Sequence, residues 1–101
     1  MFCRVHERFE ADGSVTRVAA VCDAKLLGKK FESGGRVLDL KVHRSFYEGK
    51  RASAKEVLEL LGGCKSANLV GEKAVACGKK AFGRAPSYKI KGVPVLLVFK
   101  A

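Results

Sequence analysis

The spacing of apolar residues along the chain switches between two and about 3.6 residues, and the helical spacing is most regular in the second half. Apolar side chains there repeat at the interval of one helix face, at Val70, Ala74, Cys77, Gly78 and Ala81. The pattern predicts a helix over about 69–82, with Asn68 as its N-cap and Glu72 in its first turn. Lys79 and Lys80 fall in its last turn. Because the side chains of this face are small, we expect a sheet to approach the helix closely.

Capping residues mark two further helical segments. Ser53 and Glu56 have the spacing of a capping box, which predicts a helix over about 54–61. Asp23 is expected to be the N-cap of a single helical turn that ends at Gly28. The chain is therefore expected to contain two main helices and one isolated turn.

Alternating apolar and polar residues predict strands elsewhere. Strands are expected at about 1–8, 15–22, 36–42, 87–91 and 95–99. In the third strand, Leu38, Leu40 and Val42 are expected to face the core. The fifth strand is continuously apolar, so it requires cover on both faces. At 101 residues, the chain is expected to form a single globular domain, residues 1–101. The elements predict an α+β fold with a small mixed or mostly antiparallel sheet of four to five strands and two main helices.

The first two strands are predicted to form a hairpin. Asp12 and Gly13 suit the two loop residues of a type I′ turn, which places Cys3 opposite Cys22. One face of this hairpin is then expected to be core, with Cys3, Val5, Val18, Ala20 and Cys22. The other face is expected to be basic, with Arg4, His6, Arg8 and Arg17. A slip of one residue would reverse this assignment. Opposed cysteines can reach disulfide geometry, although reduced core thiols are favoured.

The charge of the chain is uneven along its length. Twenty Lys and Arg residues against ten Asp and Glu give a net charge of +10. Residues 1–59 contain 12 basic and 9 acidic groups, a net charge of +3, and residues 60–101 contain 8 and 1, a net charge of +7. Such a field favours polyanions, and the sequence therefore favours nucleic acid as the partner. The alternative is a basic protein whose charge serves only its solubility.

The expected contacts with nucleic acid are basic side chains and one aromatic. They are Arg4, Arg8, Arg17, Arg44, Tyr47, Lys50, Arg51, Lys73, Lys80, Arg84, Lys89 and Lys91. We expect phosphate contacts with structured RNA, such as ribosomal RNA or tRNA, and weak sequence readout. Phe46 and Tyr47 have a second interpretation, favoured on their size, in which they anchor their loop to the core.

Few residues suggest chemistry. A possible polar site consists of Cys22, Asp23, Lys29, Asn68 and Glu72. In it, Cys22 would be a nucleophile with Lys29 as its charge partner. Each of these residues also has a structural explanation, so the sequence favours a protein without a reaction centre. The spacing of the four Cys and two His residues predicts no metal site, and no cofactor is predicted.

Localisation and assembly follow from the apolar segments. No run approaches the roughly 20 apolar residues of a membrane span, and no signal peptide is recognisable, so we expect a cytoplasmic protein that does not bind membranes. The apolar C-terminal strand leaves open a homodimer or another complex without nucleic acid as an alternative function.

Five short segments share their order and spacing with one family: Ala20–Asp23, Leu26–Lys29, Ser45–Tyr47, Ala67–Glu72 and Ile90–Pro94. Over nearly its whole length the chain resembles an archaeal family of uncharacterised proteins catalogued as domain of unknown function 424. The resemblance implies a single-domain cytoplasmic archaeal protein and no established activity. Directly after Pro94 the resemblance predicts a His, whereas this sequence has Val95. An archaeal source would also admit intracellular disulfides.

Overall fold

Helices and strands are interspersed along the chain in a computed structural model that describes residues 1–83 and 86–99. In chain order the elements are β1 (Phe2–Phe9), β2 (Val15–Cys22), a 3-10 turn (Ala24–Leu26), β3 (Lys30–Ser33), β4 (Arg36–Asp39), α1 (Arg44–Tyr47), β5 (Lys50–Arg51), α2 (Ala54–Gly62), β6 (Ser66–Val70), α3 (Glu72–Phe82), β7 (Ser87–Ile90) and β8 (Val93–Phe99). No helix in these ranges is long and apolar enough to cross a membrane.

The main sheet has six strands in the order β5-β1-β2-β6-β8-β7. Its neighbouring strands are antiparallel except for the central pair, β2 and β6, which are parallel. Strands β3 and β4 form a separate two-stranded sheet. The predicted α+β fold with a mixed, mostly antiparallel sheet is confirmed, although the strands are more numerous than predicted.

Both faces of the main sheet are covered at its centre. Helices α2 and α3 pack on one face, which we call the helix side, with Val57, Leu61 and Val75 among the buried residues. The 3-10 turn, the β3–β4 hairpin and α1 pack on the other face, which we call the hairpin side, through Leu26 and Leu40 among others. The cover on the hairpin side explains why Val70 of β6 and Val93 and Val95 of β8 are apolar there, opposite the helix-side core.

Helix α3 lies close to the sheet, as its small side chains predict. A Cβ atom placed on Gly78 would lie 2.7 Å from Leu96 Cδ2 and 2.9 Å from Leu69 Cδ1. Both distances are shorter than real Cβ contacts, so a larger residue at this position would force these leucines or the helix to shift.

The helix predicted over about 69–82 begins later, and the residues before it form a strand. Helix α3 starts at Glu72, with Gly71 in the N-cap position, so the prediction of Asn68 as N-cap is wrong. Asn68 lies in β6. The buried side chains of Ala67 and Leu69 point to the helix side while Val70 faces the hairpin side. The alternation of β6 covers only four residues, from Ser66 to Leu69, and Val70 also continued the helical spacing.

The predicted register of the first hairpin is wrong by one residue. Cys3 pairs with Val21, and Cys22 pairs with Phe2. The connection contains five residues, 10–14, and not two, because the Asp12 carboxylate accepts hydrogen bonds from the backbone N–H of Ser14 (2.9 Å) and from its hydroxyl (2.6 Å). Such an Asx turn widens the loop and shifts every pairing.

The slip changes which residues share a face. Arg17 is opposite Glu7 on the helix side, whereas Arg8 is opposite Thr16 on the hairpin side. Cys3 and Cys22 therefore lie on opposite faces of the sheet, and both are free thiols, as are Cys64 and Cys77.

The remaining boundaries differ by a few residues from the predicted ones. Strand β4 ends at Asp39, whose side chain accepts from the backbone N–H groups of Lys41 and Val42 and so turns the chain. Val42 is 71% exposed and does not face the core, whereas Leu40 is buried as predicted. Strand β3 was not predicted. The capping box of Ser53 and Glu56 is confirmed, with both reciprocal hydrogen bonds present.

Candidate functional site

Asp23, one residue of the predicted polar site, links the end of β2 to the start of α3, two elements that are distant in sequence. The Asp23 carboxylate accepts hydrogen bonds from the backbone N–H groups of Lys73 (3.1 Å) and Ala74 (2.8 Å), at the first turn of α3. Its own N–H donates to the Val70 carbonyl at 3.0 Å. Asp23 is 3% exposed and forms no side-chain cap on the 3-10 turn that follows it. It therefore caps the N-terminus of α3 from the end of β2, and not the turn that the sequence predicted.

Gly71 is the residue that permits this link. Its backbone has φ +105° and ψ 162°, a conformation that residues with a Cβ rarely adopt. A Cβ atom at this position would lie 2.4 Å from Asp23 Cγ, so the carboxylate occupies the space where a side chain would be. A glycine is required here both by the backbone and by the approach of Asp23.

Cys22 does not have the properties of a nucleophile. It is fully buried, and its Sγ donates a hydrogen bond to the Asp23 carbonyl at 3.4 Å. Burial, and secondarily the charge of Asp23, raise the pKa of the thiol to about 12. The group is therefore a protonated core thiol at neutral pH.

The raised pKa of Cys22 predicts a loss of stability at high pH. Below pH 9.0 the thiol is protonated in both the folded and the unfolded chain, whereas above it only the folded chain keeps the proton, up to about pH 12. The free energy of unfolding is expected to fall by about 1.4 kcal/mol per pH unit from this group. Burial also raises the pKa of Cys3, Cys64 and Cys77, which adds slopes of the same sign. In urea unfolding at several pH values above 9.0, the loss of stability per pH unit should therefore be smaller in Cys22→Ala than in the unchanged chain, by about that amount. An unchanged slope in Cys22→Ala would contradict the assignment.

The other polar residues do not assemble around Cys22. Asn68 lies on the hairpin side of β6, half-buried, between Ala20 of β2 and Leu97 of β8. Glu72 is exposed in the first turn of α3 and, with Asp23, lines a cavity of about 140 Å³. That volume is below the roughly 300 Å³ at which small-molecule sites begin. Lys29 is exposed and does not line this cavity. In residues 1–83 and 86–99, no group of three or more His, Cys, Asp or Glu residues is arranged to hold a metal ion.

The basic residues expected to contact nucleic acid lie on several sides of the molecule. Arg4 and Arg8 are on the hairpin side of β1, and Arg17 is on the helix side of β2. The others lie in α1 (Arg44), at the β5 edge (Lys50, Arg51), on α3 (Lys73, Lys80), in β7 (Lys89) and in the turn after it (Lys91). Arg84 lies outside the described residues. The set as a whole therefore does not form one continuous surface.

Several of these side chains already have partners within the chain. Arg44 forms a 2.7 Å ion pair with Glu48, and Lys50 a 3.5 Å ion pair with Glu56. Tyr47 is buried, and burial raises its pKa to about 12, so it anchors its loop as the second interpretation held. Exposed ion pairs are worth about 0–1 kcal/mol, so Arg44 and Lys50 remain available to an anion.

One part of the sheet is left open, on the hairpin side of β1, β2, β6 and β8. Two rows of directly paired residues cross it: Arg4–Ala20–Asn68–Leu97 and His6–Val18–Ser66–Phe99. Together with Arg8 at the next position of β1, we call the half-buried and exposed residues of these rows the open face; Ala20 is fully buried and is not part of it. Leu97 is 53% exposed and Phe99 68%. The helices cover the opposite side of the same strands.

An aromatic stack stands at one end of the open face. The rings of His6 and Phe46 are parallel within 7°, with centroids 4.4 Å apart, and His6 Nε2 is 2.8 Å from the Phe46 carbonyl oxygen. Arg4 is held beside it, because its Nη1 donates to the Ser45 carbonyl at 2.7 Å. Phe99 stands at the other end of the row. The sequence does not single out Leu97 and Phe99, because a continuously apolar strand does not show which of its side chains are exposed.

Comparison with known proteins identifies the family. A family model described as "Protein of unknown function (DUF424)" matches residues 12–100. The chain belongs to this family. The resemblance predicted from the short sequence segments is thereby confirmed. No curated protein matches the chain.

A solved structure of a protein from Methanopyrus kandleri has the same fold as this DUF424 chain. It is described as a crystal structure of an uncharacterized conserved protein, and the two chains are 24% identical with a TM-score of 0.66. The match covers 100% of this chain and 95% of the other. At this identity the likeness concerns the fold alone.

The position at which the resemblance predicted a His is part of the core in this DUF424 chain. Val95 is buried, 3% exposed, on β8 between Val70 and Tyr88. It packs in the hairpin-side cluster with Leu40 and Tyr47. The side chain at this position therefore contributes to packing here.

Proposed function

We propose that the open face binds single-stranded RNA, such as the loops of a structured RNA, with the sheet as a stacking platform. The observation that carries the proposal is the row that has the His6–Phe46 stack at one end and the exposed Phe99 at the other, with Arg4 and Arg8 beside it. Bases stack on exposed aromatic rings, and arginines beside them contact the phosphates.

The shape of the open face supports this proposal. Strands are about 4.8 Å apart, so the row from β1 to β8 spans roughly 14 Å. Between its aromatic ends lie Val18 and Ser66, whose small side chains leave the surface shallow. Unstacked bases with exposed edges suit such a surface, whereas the phosphates of a double helix would meet little charge in its middle.

The chemistry of the centre favours RNA over DNA. The Asn68 amide and the Ser66 hydroxyl lie half-buried on the open face, where they offer hydrogen-bond donors and acceptors. A ribose 2′-hydroxyl both donates and accepts hydrogen bonds, and it is the group by which proteins distinguish RNA from DNA.

The proposal predicts the effects of three variants on RNA affinity. We expect Phe99→Ala to weaken binding of a labelled single-stranded RNA about tenfold, because one stacked base is worth about 1–3 kcal/mol. The double variant Arg4→Gln/Arg8→Gln should reduce the slope of log affinity against log salt by about 1.4, since each phosphate contact contributes about 0.7. Arg17→Gln, on the helix side, is the matched control and should change neither quantity. Fluorescence anisotropy at several salt concentrations measures both.

Other outcomes would contradict the proposal. Absence of RNA binding at low salt would reject it, as would binding that Arg17→Gln weakens as much as the double variant does. Equal affinity for a DNA of the same sequence would reject the preference for RNA.

A second candidate function is the association of two copies through the open face, favoured by the exposure of Leu97 and Phe99. Neighbouring large apolar side chains on one face are typical of protein interfaces. The unchanged chain and the Phe99→Ala variant distinguish the two functions. Sedimentation of nuclease-treated protein should give a monomer if the face is an RNA platform, whereas a dimer that Phe99→Ala converts to a monomer would support the second candidate.

A further inference from the structure

We infer that the helix side contains a binding site for a small amphipathic anion, separate from the open face and independent of its proposed function. The site is a cavity of about 490 Å³ between the start of α2 and the outward side of α3. Small-molecule sites occupy about 300–1,000 Å³, so the cavity is large enough for such a ligand.

The walls of the cavity are mostly apolar. Ala52, Ala54 and Leu58 form one side, and Ala76 and Cys77 of α3 form the other. Burial raises the pKa of the Cys77 thiol, so at neutral pH this wall is uncharged. An apolar wall of this kind suits an alkyl or aromatic body and gives nothing to a free inorganic anion.

The charged groups at the cavity have one sign. Met1 lines it, and its α-ammonium group donates to the Ala52 carbonyl at 3.3 Å. Lys73 and Lys80 both line it, two turns apart on the same side of α3. Among the described residues, neither ammonium group takes part in an ion pair. No carboxylate of the described residues lines the cavity. Two cations beside an apolar wall are complementary to a ligand with an apolar body and an anionic head.

The start of α2 offers this ligand less than the lysines do. Two N–H groups of its capping box are occupied, since the Ser53 hydroxyl accepts from the Glu56 N–H at 3.2 Å and the Glu56 carboxylate accepts from the Ser53 N–H at 3.1 Å. The Glu56 carboxylate also places a negative charge at this end of the helix, which opposes an anion. The head group is therefore assigned to the two lysines, and carboxylate, sulfonate and phosphate monoester heads share the chemistry that they recognise.

The test uses decanoate as the probe and decanol as its uncharged match, each titrated into the full chain and followed by isothermal calorimetry and by amide chemical shifts. We expect decanoate to bind, with shifts centred on Leu58 and Ala76, and decanol to bind more weakly. Lys73→Gln and Lys80→Gln should each weaken decanoate about three- to tenfold, with little effect on decanol. Lys79→Gln, one position away and outside the cavity wall, is the matched control.

Ala76→Phe provides a second variant that keeps all charges. It should fill the cavity and abolish binding of both probes, while the melting temperature reports that the protein remains folded. Absence of decanoate binding, equal effects of Lys79→Gln and Lys80→Gln, or shifts on the open face would each overturn the inference. RNA affinity should be unchanged in Lys73→Gln and Lys80→Gln, so this inference and the proposed function can fail separately.

Discussion

Asp23→Ala is expected to lower the free energy of unfolding by about 3 kcal/mol. The substitution removes the acceptor of two backbone N–H groups, those of Lys73 and Ala74. Loss of a helix cap costs about 0.5–2 kcal/mol. A buried donor left without a partner costs about 1–3 kcal/mol more, and Ala74 is fully buried. Urea unfolding at neutral pH measures the loss as a shift of the midpoint.

Asp12→Ala is the matched control for this prediction. Asp12 also accepts two hydrogen bonds, both from Ser14, but it is exposed in the loop between β1 and β2. We expect a cost of about 1 kcal/mol or less there, because water replaces the lost partner. Asp23→Asn should fall between the two, since the amide keeps one acceptor oxygen. Similar costs for Asp23→Ala and Asp12→Ala would show that the link to α3 contributes little.

Gly71→Ala is expected to cost about 4 kcal/mol. The backbone conformation of Gly71 alone accounts for about 1–3 kcal/mol, because residues with a Cβ rarely adopt it. The added methyl group would also overlap Asp23, with its Cβ 2.4 Å from Cγ, so Asp23 must move from its position at α3. Displacement of Asp23 removes the same N-terminal cap of α3 that Asp23→Ala removes.

The control for Gly71→Ala is Gly13→Ala. Gly13 also has a positive φ, +87°, but no atom beyond its own residue and its two chain neighbours lies within 4 Å of the place where its Cβ would be. It should therefore show only the backbone cost, about 1–2 kcal/mol. Both variants are measured by urea unfolding under the same conditions. A cost for Gly71→Ala that does not exceed that of Gly13→Ala would contradict the close approach of Asp23.

The features that the sequence predicted correctly depend on nearby residues. The capping box of Ser53 and Glu56 needs only four consecutive positions, and α2 begins where it predicts. The C-terminal end of α3 and most of its buried face were predicted for the same reason. Helical spacing alone places Ala74, Cys77 and Gly78 on one face of the helix.

The features that were missed depend on distant residues. Asp23 has the residue type and position of a local N-cap, but its hydrogen-bond partners are 50 and 51 positions away. Nothing in the neighbouring sequence indicates these partners. Strand β6 was missed because its alternation covers only four residues and its last residue continues the spacing of α3. The register of the first hairpin depended on an Asx turn, which a short loop signal does not distinguish from a tighter one.

In the candidate site, too, the features set by nearby residues were predicted and those set by distant residues were missed. The basic residues Arg4 and Arg8 could be assigned to one face of β1 from alternation alone. Their neighbours on the open face, Leu97 and Phe99, are brought there by β8 through β6, a connection that no local pattern contains. The His6–Phe46 stack likewise joins residues 40 positions apart.

The parallel pairing of β2 with β6 has a consequence for folding while the protein is being synthesised on the ribosome. The chain emerges from its N-terminus, so β2 is complete long before its partner, Ser66–Val70, has been made. During that interval β2 presents an unpaired edge with apolar side chains on both sides, the kind of edge that recruits other chains. The N-terminal half of the nascent chain therefore depends on prompt synthesis of Ser66–Val70, and aggregation competes with folding until these residues pair with β2.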